Sequence, residues 1–416
     1  MKKNNLLYYS FLFIIQTTVA CNPCLNPNDN VLNSDKNAKL SVNDSMVTNG
    51  INLMAFKLFE NLNHQDENLF FSPYSIASSF ALIYPGSKGE TKDEIQRFFQ
   101  FNTDTEENSK LFYNLNQQIA KKADRLGEVS IANALWVQSG FKINSPFLEQ
   151  TNNYFNSELY LQDFIRSPQE SCDSINKWVS DKTNHKIENI INASDISETT
   201  RLILTNSIYF NRKWMNEFDK NATQSAVFYN ADKIESTVRM MHMTSYFNYA
   251  EDSLLQALEV PYIDDYSMIV LLPKSYQDGF NNIKFNYLNY LKWVASLSQK
   301  EVVLSMPKFK LENKIQLSDV LVKNGLTTSF TPNADFQGIS YENTFIDKCY
   351  QYSYIAIDEE KTEAVSVGIT AVDAASSAIS ENPPVVFNMD HPFVFMILSK
   401  KSNTILFIGK VDKLIM

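Results

Sequence analysis

One stretch near the C-terminus tells more about this chain than any other: Asp358-Glu359-Glu360-Lys361-Thr362-Glu363-Ala364-Val365-Ser366-Val367-Gly368. It continues residues 352–357, whose alternating pattern is typical of a β-strand. After the acidic residues, every second position is small and uncharged: Thr362, Ala364, Ser366 and Gly368. A segment with one such face can insert between two strands of a sheet without burying a charge or overfilling the core. The same residue types also populate loops, so this window taken alone is compatible with a plain flexible loop.

The composition indicates one globular domain with a large core. Apolar residues make up 44% of the 416 residues and aromatic residues 13%. No linker rich in Pro, Gly or Ser divides the chain. The formal net charge is -10, and without Lys2 and Lys3 of the leader 35 basic residues remain against 47 acidic ones, or -12. This charge argues against nucleic acid or an anionic membrane as a partner.

The amino terminus has the features of a signal peptide over residues 1–20. Lys2 and Lys3 precede an apolar run over residues 6–15 that is too short to span a bilayer, and small or β-branched residues follow. We therefore predict a secreted, extracellular protein. Residues 21–44 are polar and are predicted to form a disordered tail, which leaves a domain over residues 45–416. Three N-glycosylation sequons, at Asn43, Asn192 and Asn221, fit passage through a eukaryotic secretory pathway.

Residues that could carry catalysis or bind a metal are scarce. Four histidines form no His-x-x-x-His pair, and no Gly-x-Ser-x-Gly turn or glycine-rich phosphate loop occurs. We therefore predict no catalytic residue, metal site or cofactor. Cys21 and Cys24 lie in the tail, where a local or an intermolecular disulfide is expected, and Cys172 and Cys349 are interpreted as free buried thiols.

Local patterns predict helices first and mostly antiparallel strands later, an α+β domain. Ser72-Pro73 predicts a helix start with proline at its first position, and Thr91-x-x-Glu94 predicts a capping box. The residues predicted to form strands are 130–137, 203–210, 238–243, 255–260, 268–272, 302–306, 393–398 and 405–411.

Motifs spread along residues 45–413 resemble those of the serpin family, and their order makes the resemblance specific. They include Asn68-Leu69-Phe70-Phe71-Ser72-Pro73, Ile175-Asn176-x-Trp178-Val179, Asn206-x-Ile208-Tyr209-Phe210-x-x-Lys213-Trp214, Met306-Pro307-Lys308-Phe309, Asp390-His391-Pro392-Phe393 and Ile405-Leu406-Phe407-x-Gly409-Lys410-Val411. The resemblance implies a single domain with about nine helices, three mostly antiparallel sheets and an exposed reactive-centre loop near the C-terminus.

The resemblance also implies a metastable suicide substrate for a serine (or cysteine) protease. Serpins present the loop as bait, and the cleaved loop inserts into the main sheet while the protease is held as an acyl-enzyme. The opening segment then becomes the loop hinge, from Glu359 to Gly368. Counting seventeen residues from Glu359 places the reactive bond at Ala375-Ser376, with Ile379-Ser380 as the alternative. A small residue at the cleavage point suits an elastase-like target, and the inhibitor is expected to act as a monomer without a cofactor.

Two positions depart from the family pattern. Lys361 stands where inhibitory serpins usually carry a permissive glycine at the hinge. Gln351 replaces a histidine usual near the point where the sheet opens, and Ser72 and Asn206 resemble the partners of that histidine. Glutamine can also donate and accept there, so function is expected to persist. The alternative that remains is a serpin-fold binding or storage protein that never traps a protease.

Overall fold

The computed structural model describes residues 42–63, 67–155, 158–277, 279–360 and 383–414. Eight α-helices lie within them: α1 (Val42–Leu62), α2 (Pro73–Ile83), α3 (Gly89–Phe99), α4 (Thr105–Ile119), α5 (Ser145–Phe155), α6 (Pro168–Lys182), α7 (Tyr287–Ala295) and α8 (Ser318–Lys323). The strands are β1 (Leu69–Phe71), β2 (Lys121–Asp124), β3 (Gly127–Gln138), β4 (Glu158–Gln162), β5 (Leu202–Arg212), β6 (Gln224–Tyr229), β7 (Glu235–Glu251), β8 (Leu255–Pro261), β9 (Tyr266–Pro273), β10 (Ser298–Pro307), β11 (Phe309–Gln316), β12 (Lys348–Ile357), β13 (Val385–Asn388), β14 (Phe393–Ser399) and β15 (Thr404–Val411).

The strands form two hydrogen-bonded sheets. One has the order β11-β12-β5-β3-β2, with β4 also paired to β3, and the other has the order β1-β15-β14-β9-β8-β7-β10-β13, with β6 paired to β7. The predicted α+β class is confirmed. Three sheets are expected, and two of them are joined into one hydrogen-bonded sheet here. The joining strand is β7, which is 17 residues long and pairs with β6, β8 and β10.

All residues of helix α2 are buried. It begins as predicted: the Ser72 hydroxyl accepts a 3.1 Å hydrogen bond from the Ser75 amide, and Pro73 takes the first position. The helix packs on β15, β5 and β3. A second apolar cluster lies on the opposite face of the six-stranded sheet, between that sheet and α6. The sheet that contains β5 and β12 is therefore covered on both faces.

The predicted capping box at Thr91 is wrong, because α3 begins two residues earlier, at Gly89. The Thr91 hydroxyl instead accepts a 2.9 Å hydrogen bond from the Asp335 amide. The Glu94 carboxylate accepts 2.7 Å bonds from both the amide and the hydroxyl of Thr328. Both side chains therefore bond to residues distant in sequence and not to the backbone at the start of α3.

Helix α1 begins at Val42, three residues before the predicted start of the domain at residue 45. The last three residues of the segment predicted to be disordered are therefore helical.

Candidate sheet-opening site

The junction between β5 and β12 is incomplete. These parallel strands pair only at Lys348 with Ile203 and at Cys349 with Leu204. By contrast, β12 is paired with β11 as far as Ile357, and β5 is paired with β3 as far as Arg212. We call the unpaired stretch beyond Leu204 and Cys349 the sheet opening. An extra strand placed there would have a partner on each side.

The chain direction favours filling the opening from the end of β12. A segment that leaves β12 at Ile357 and turns back runs antiparallel to both β12 and β5. Antiparallel ladders are slightly more stable per residue than parallel ones. One incomplete parallel ladder would thus be replaced by two antiparallel ladders.

A polar contact closes the paired end of the opening. The Gln351 side chain accepts a 2.9 Å hydrogen bond from the Ser72 amide and donates a 2.8 Å bond to the Ser72 carbonyl. Both residues are buried. Asn206 lies on β5, opposite Asn133 of β3. Gln351 therefore ties β12 to the start of α2, where a partner with one donor and one acceptor is required.

Replacing Gln351 with methionine is expected to lower the free energy of unfolding by about 2 kcal/mol, because the buried Ser72 amide and carbonyl both lose their partner. Urea unfolding followed by circular dichroism measures the change. Gln316→Met, at an exposed position on β11, is the matched control and should change stability by less than about 0.5 kcal/mol. Equal effects of the two substitutions would contradict a role for the Ser72 contact.

The residues that follow β12 are held through their backbone carbonyls. We call Asp358–Glu360 the loop root. The Trp214 amide donates to the Glu360 carbonyl at 3.2 Å, and the Phe218 amide donates to the Glu359 carbonyl at 2.8 Å. The Trp214 indole donates to the Asp358 carbonyl at 2.9 Å. Three bonds therefore fasten three consecutive residues to the segment after β5.

Three side chains reinforce these bonds, those of Lys220, Thr223 and Lys308. Together with Trp214 and Phe218 they form what we call the clamp. Glu359 is buried and accepts a 2.7 Å bond from Lys308 Nζ and a 2.8 Å bond from the Thr223 hydroxyl. Glu360 is also buried and forms an ion pair with Lys220. Each of the two carboxylates at the loop root is thus paired with a lysine, and the two lysines come from different parts of the fold.

The clamp favours the charged form of Glu359. Burial alone would raise the pKa of its carboxyl group, but the bonds from Lys308, from its own backbone amide and from Thr223 outweigh burial and hold the pKa below its usual value. Glu359 is therefore ionised at neutral pH. A carboxylate in this state must lose its partners before the loop root can move.

Helix α6 covers the outer face of the opening. A narrow, mostly apolar crevice lies between α6, where Ile175 and Val179 line it, and the strands β5 and β12, where Tyr350 and Tyr352 line it. The Tyr352 hydroxyl donates to the Ile190 carbonyl, in the segment between α6 and β5. An inserting strand would have to displace α6 or slide beneath it.

The remaining predicted residues fall in several places. The hinge from Lys361 to Gly368 and both candidate reactive bonds lie outside the described residues, as do Cys21 and Cys24. Asn43 lies in α1, and Asn192 and Asn221 are exposed.

Cys172 and Cys349 are free and buried, as expected. Burial, with lesser contributions from Asp173 and Asp195, raises the pKa of Cys172 to about 11. Burial raises the pKa of Cys349 to about 12. Both thiols are therefore protonated at neutral pH and are poor nucleophiles.

Within the described residues, no three His, Cys, Asp or Glu side chains are grouped so as to hold a metal ion. None of the helices in that same part of the chain combines the length and apolar character needed to cross a membrane.

The clamp was not predicted from the sequence. In the sequence, Trp214 and Lys308 stand out only as members of family motifs, and no local pattern connects Lys220 or Thr223 with the loop root. The acidic run Asp358-Glu359-Glu360 at the end of a strand was the available signal, since buried acids require basic partners.

The structure is thus an α+β domain with an incomplete junction between β5 and β12 and a clamped segment beside that junction. The family model described as serpin (serine protease inhibitor) matches residues 49–414. The chain belongs to the serpin family.

Three similar proteins show the breadth of the match. A serpin-like protein of Methanosarcina acetivorans is 35% identical over 413 residues, which cover 96% of this chain and 95% of that protein. A leukocyte elastase inhibitor of Xenopus laevis is 30% identical over 367 residues, which cover 85% and 96%. The crystal structure of human thyroxine-binding globulin complexed with thyroxine superposes with a TM-score of 0.79 at 25% identity, covering 89% of this chain and 99% of that one.

Proposed function

We propose that this protein is a secreted inhibitor of serine-type endopeptidases that acts as a suicide substrate. One observation carries the proposal: β5 and β12 are unpaired beyond Leu204 and Cys349, directly beside the end of β12 from which the loop departs. The small alternate side chains of Thr362, Ala364, Ser366 and Gly368 suit a strand that must fit between them. The similarity to a leukocyte elastase inhibitor supports an elastase-like serine protease as the target.

The chemistry belongs to the protease. Its nucleophile attacks the carbonyl carbon of Ala375, the peptide bond to Ser376 breaks, and Ser376 leaves as a free amine. An ester, or a thioester for a cysteine protease, now links the enzyme to Ala375. The residues before Ala375 then enter the sheet opening and carry the protease with them, before water can hydrolyse the ester. Insertion supplies the free energy, because the uncleaved protein is held short of its most stable form.

Incubation with elastase-, chymotrypsin-, trypsin- and cathepsin-type proteases tests the proposal on a denaturing gel. A covalent band at the summed mass of inhibitor and protease is expected with at least one of them. Ala364→Asp, which would bury a carboxylate on insertion, should be cleaved without forming the band. Cleavage of the unmodified chain with no band and full residual protease activity, across the panel, would refute the proposal.

Replacing Lys361 with glycine is expected to lower the fraction of inhibitor that is cleaved without trapping. Glycine relaxes the backbone at the hinge and removes a charge that must stay solvated during insertion. Titration of protease activity against inhibitor concentration gives the partition ratio. An unchanged ratio would show that Lys361 does not limit insertion.

Secretion follows from the signal peptide over residues 1–20, and N-terminal sequencing of the exported protein should begin at Cys21. We propose that the inhibitor acts as a monomer.

A second candidate is a non-inhibitory binding protein. The similarity to thyroxine-binding globulin, whose structure contains thyroxine, favours this candidate. Lys361 favours it as well, since the hinge lacks the usual glycine. Clean loop cleavage by every protease in the panel would select it.

A further inference from the structure

The short turn that grips the loop root also contains a sequon. Asn221-Ala222-Thr223 spans the end of the 3-10 turn Lys220–Ala222, which begins where the Asp219 carboxylate accepts a 2.9 Å bond from the Asn221 amide. Lys220, on one side of Asn221, pairs with Glu360. Thr223, on the other side, donates its hydroxyl proton to Glu359 at 2.8 Å. Asn221 thus lies between two residues of the clamp.

Asn221 itself is free to be modified. Its side chain is exposed, and its carboxamide makes no hydrogen bond with any other described residue. The hydroxyl residue of the sequon is needed only while the chain is still unfolded, so its later bond to Glu359 does not compete with modification. The sequon threonine therefore serves first as the recognition element for glycosylation and then as part of the clamp.

We propose that Asn221 carries an N-linked glycan that slows release of the loop root. An oligosaccharide is transferred from a lipid pyrophosphate donor: a bond forms between Asn221 Nδ2 and the anomeric carbon, the bond from that carbon to the pyrophosphate oxygen breaks, and Nδ2 loses one proton as the lipid pyrophosphate leaves.

The glycan acts on the released state of the turn. When the loop root leaves, the turn loses the bonds of Phe218, Lys220 and Thr223 and gains conformational freedom. A bulky group on Asn221 reduces the number of conformations open to the released turn. A side chain larger than glycine lowers the conformational entropy of an unfolded chain in the same way. The released state becomes less favourable, and the clamped state persists longer.

Hydrogen exchange at the Trp214 and Phe218 amides measures this release directly, because both donate to carbonyls of the loop root. The full chain is secreted from a eukaryotic host, and mass spectrometry of the tryptic glycopeptide locates the glycan. We expect Asn221→Gln to raise the exchange rate of both amides about two- to fivefold. Thr223→Ser, which keeps both the sequon and the hydroxyl, should exchange as the unmodified protein does, and Thr223→Ala should exchange faster than Asn221→Gln.

Asn192→Gln removes the exposed sequon beside the 3-10 turn Ala193–Asp195, which packs against α6, and is the matched control. It should leave exchange at Trp214 and Phe218 unchanged. Absence of a glycan at Asn221, equal exchange with and without it, or an equal effect of Asn192→Gln would each overturn the proposal. If Asn221→Gln is not secreted, glycosylated and unglycosylated fractions of the unmodified chain, separated on a lectin column, give the same comparison.

The effect of the glycan on the loop root does not depend on the proposed function. Only its consequence, a delay of strand insertion, rests on that function. Exchange at the two amides is measured with no protease present. Failure to trap any protease would therefore leave this test intact, and failure of this test would leave the trap intact.

Discussion

Cleavage of the loop between Ala371 and Ser380 is expected to raise the melting temperature by about 20 °C. The freed segment can pair with both β5 and β12 along the sheet opening. Strand β5, on one side of the opening, is 11 residues long. About ten added hydrogen bonds, each contributing about 1 kcal/mol, stabilise the cleaved form by about 10 kcal/mol. A change of 1 kcal/mol shifts the melting temperature of a large domain by about 2 °C.

Differential scanning calorimetry of intact and nicked protein measures the shift. Ala364→Asp is the control, since a carboxylate on the small face would have to be buried on insertion. Its nicked form should melt within a few degrees of its intact form, about as a simple loop cut would. If nicking leaves the melting temperature of the unmodified chain unchanged, the intact fold holds no excess free energy and cannot trap a protease.

Elements with a strong local pattern could be predicted from the sequence. The period-two stretch before Asp358 is β12, and Ser72-Pro73 begins α2, because alternation and capping act within a few residues. The position of the sheet opening depends instead on where β12 stops pairing with β5, about 145 residues earlier in the chain (349 minus 204). No local pattern encodes that end point.

The clamp illustrates the same limit at the level of side chains. Glu359 meets Thr223 and Lys308, which lie 136 and 51 residues away in sequence. Thr91 looked like a helix cap but binds the Asp335 amide, 244 residues away. Short-range signals assign such side chains to the nearest backbone group, whereas folding brings in distant partners that compete for them. The family resemblance indicates the region of the site, whereas its contacts depend on partners that only the folded chain brings together.

Acidification is expected to release the loop root through Glu359. Its folded pKa lies below the usual value, so the stability that it contributes is complete above the unfolded pKa of about 4.3 and is lost as the pH falls through the folded pKa. At neutral pH, Glu359→Gln should lower the free energy of unfolding by about 1–2 kcal/mol, because the charged bond to Lys308 is lost. The difference between Glu359→Gln and the unmodified protein should shrink below about pH 4.

A double-mutant cycle with Lys308→Gln assigns the effect to the pair. The double mutant should be about 1 kcal/mol more stable than the sum of the two single changes predicts. Each single change leaves the remaining residue without its oppositely charged partner, and that cost is counted twice in the sum. Glu312→Gln, at an exposed position on β11, is the matched control and should show neither the cycle energy nor the loss at low pH. Additive single mutants, or a Glu359→Gln deficit that persists unchanged below pH 4, would mean that Lys308 does not hold the loop root. The loop root would then be held mainly by the three bonds to its carbonyls, from the Trp214 amide, the Trp214 indole and the Phe218 amide.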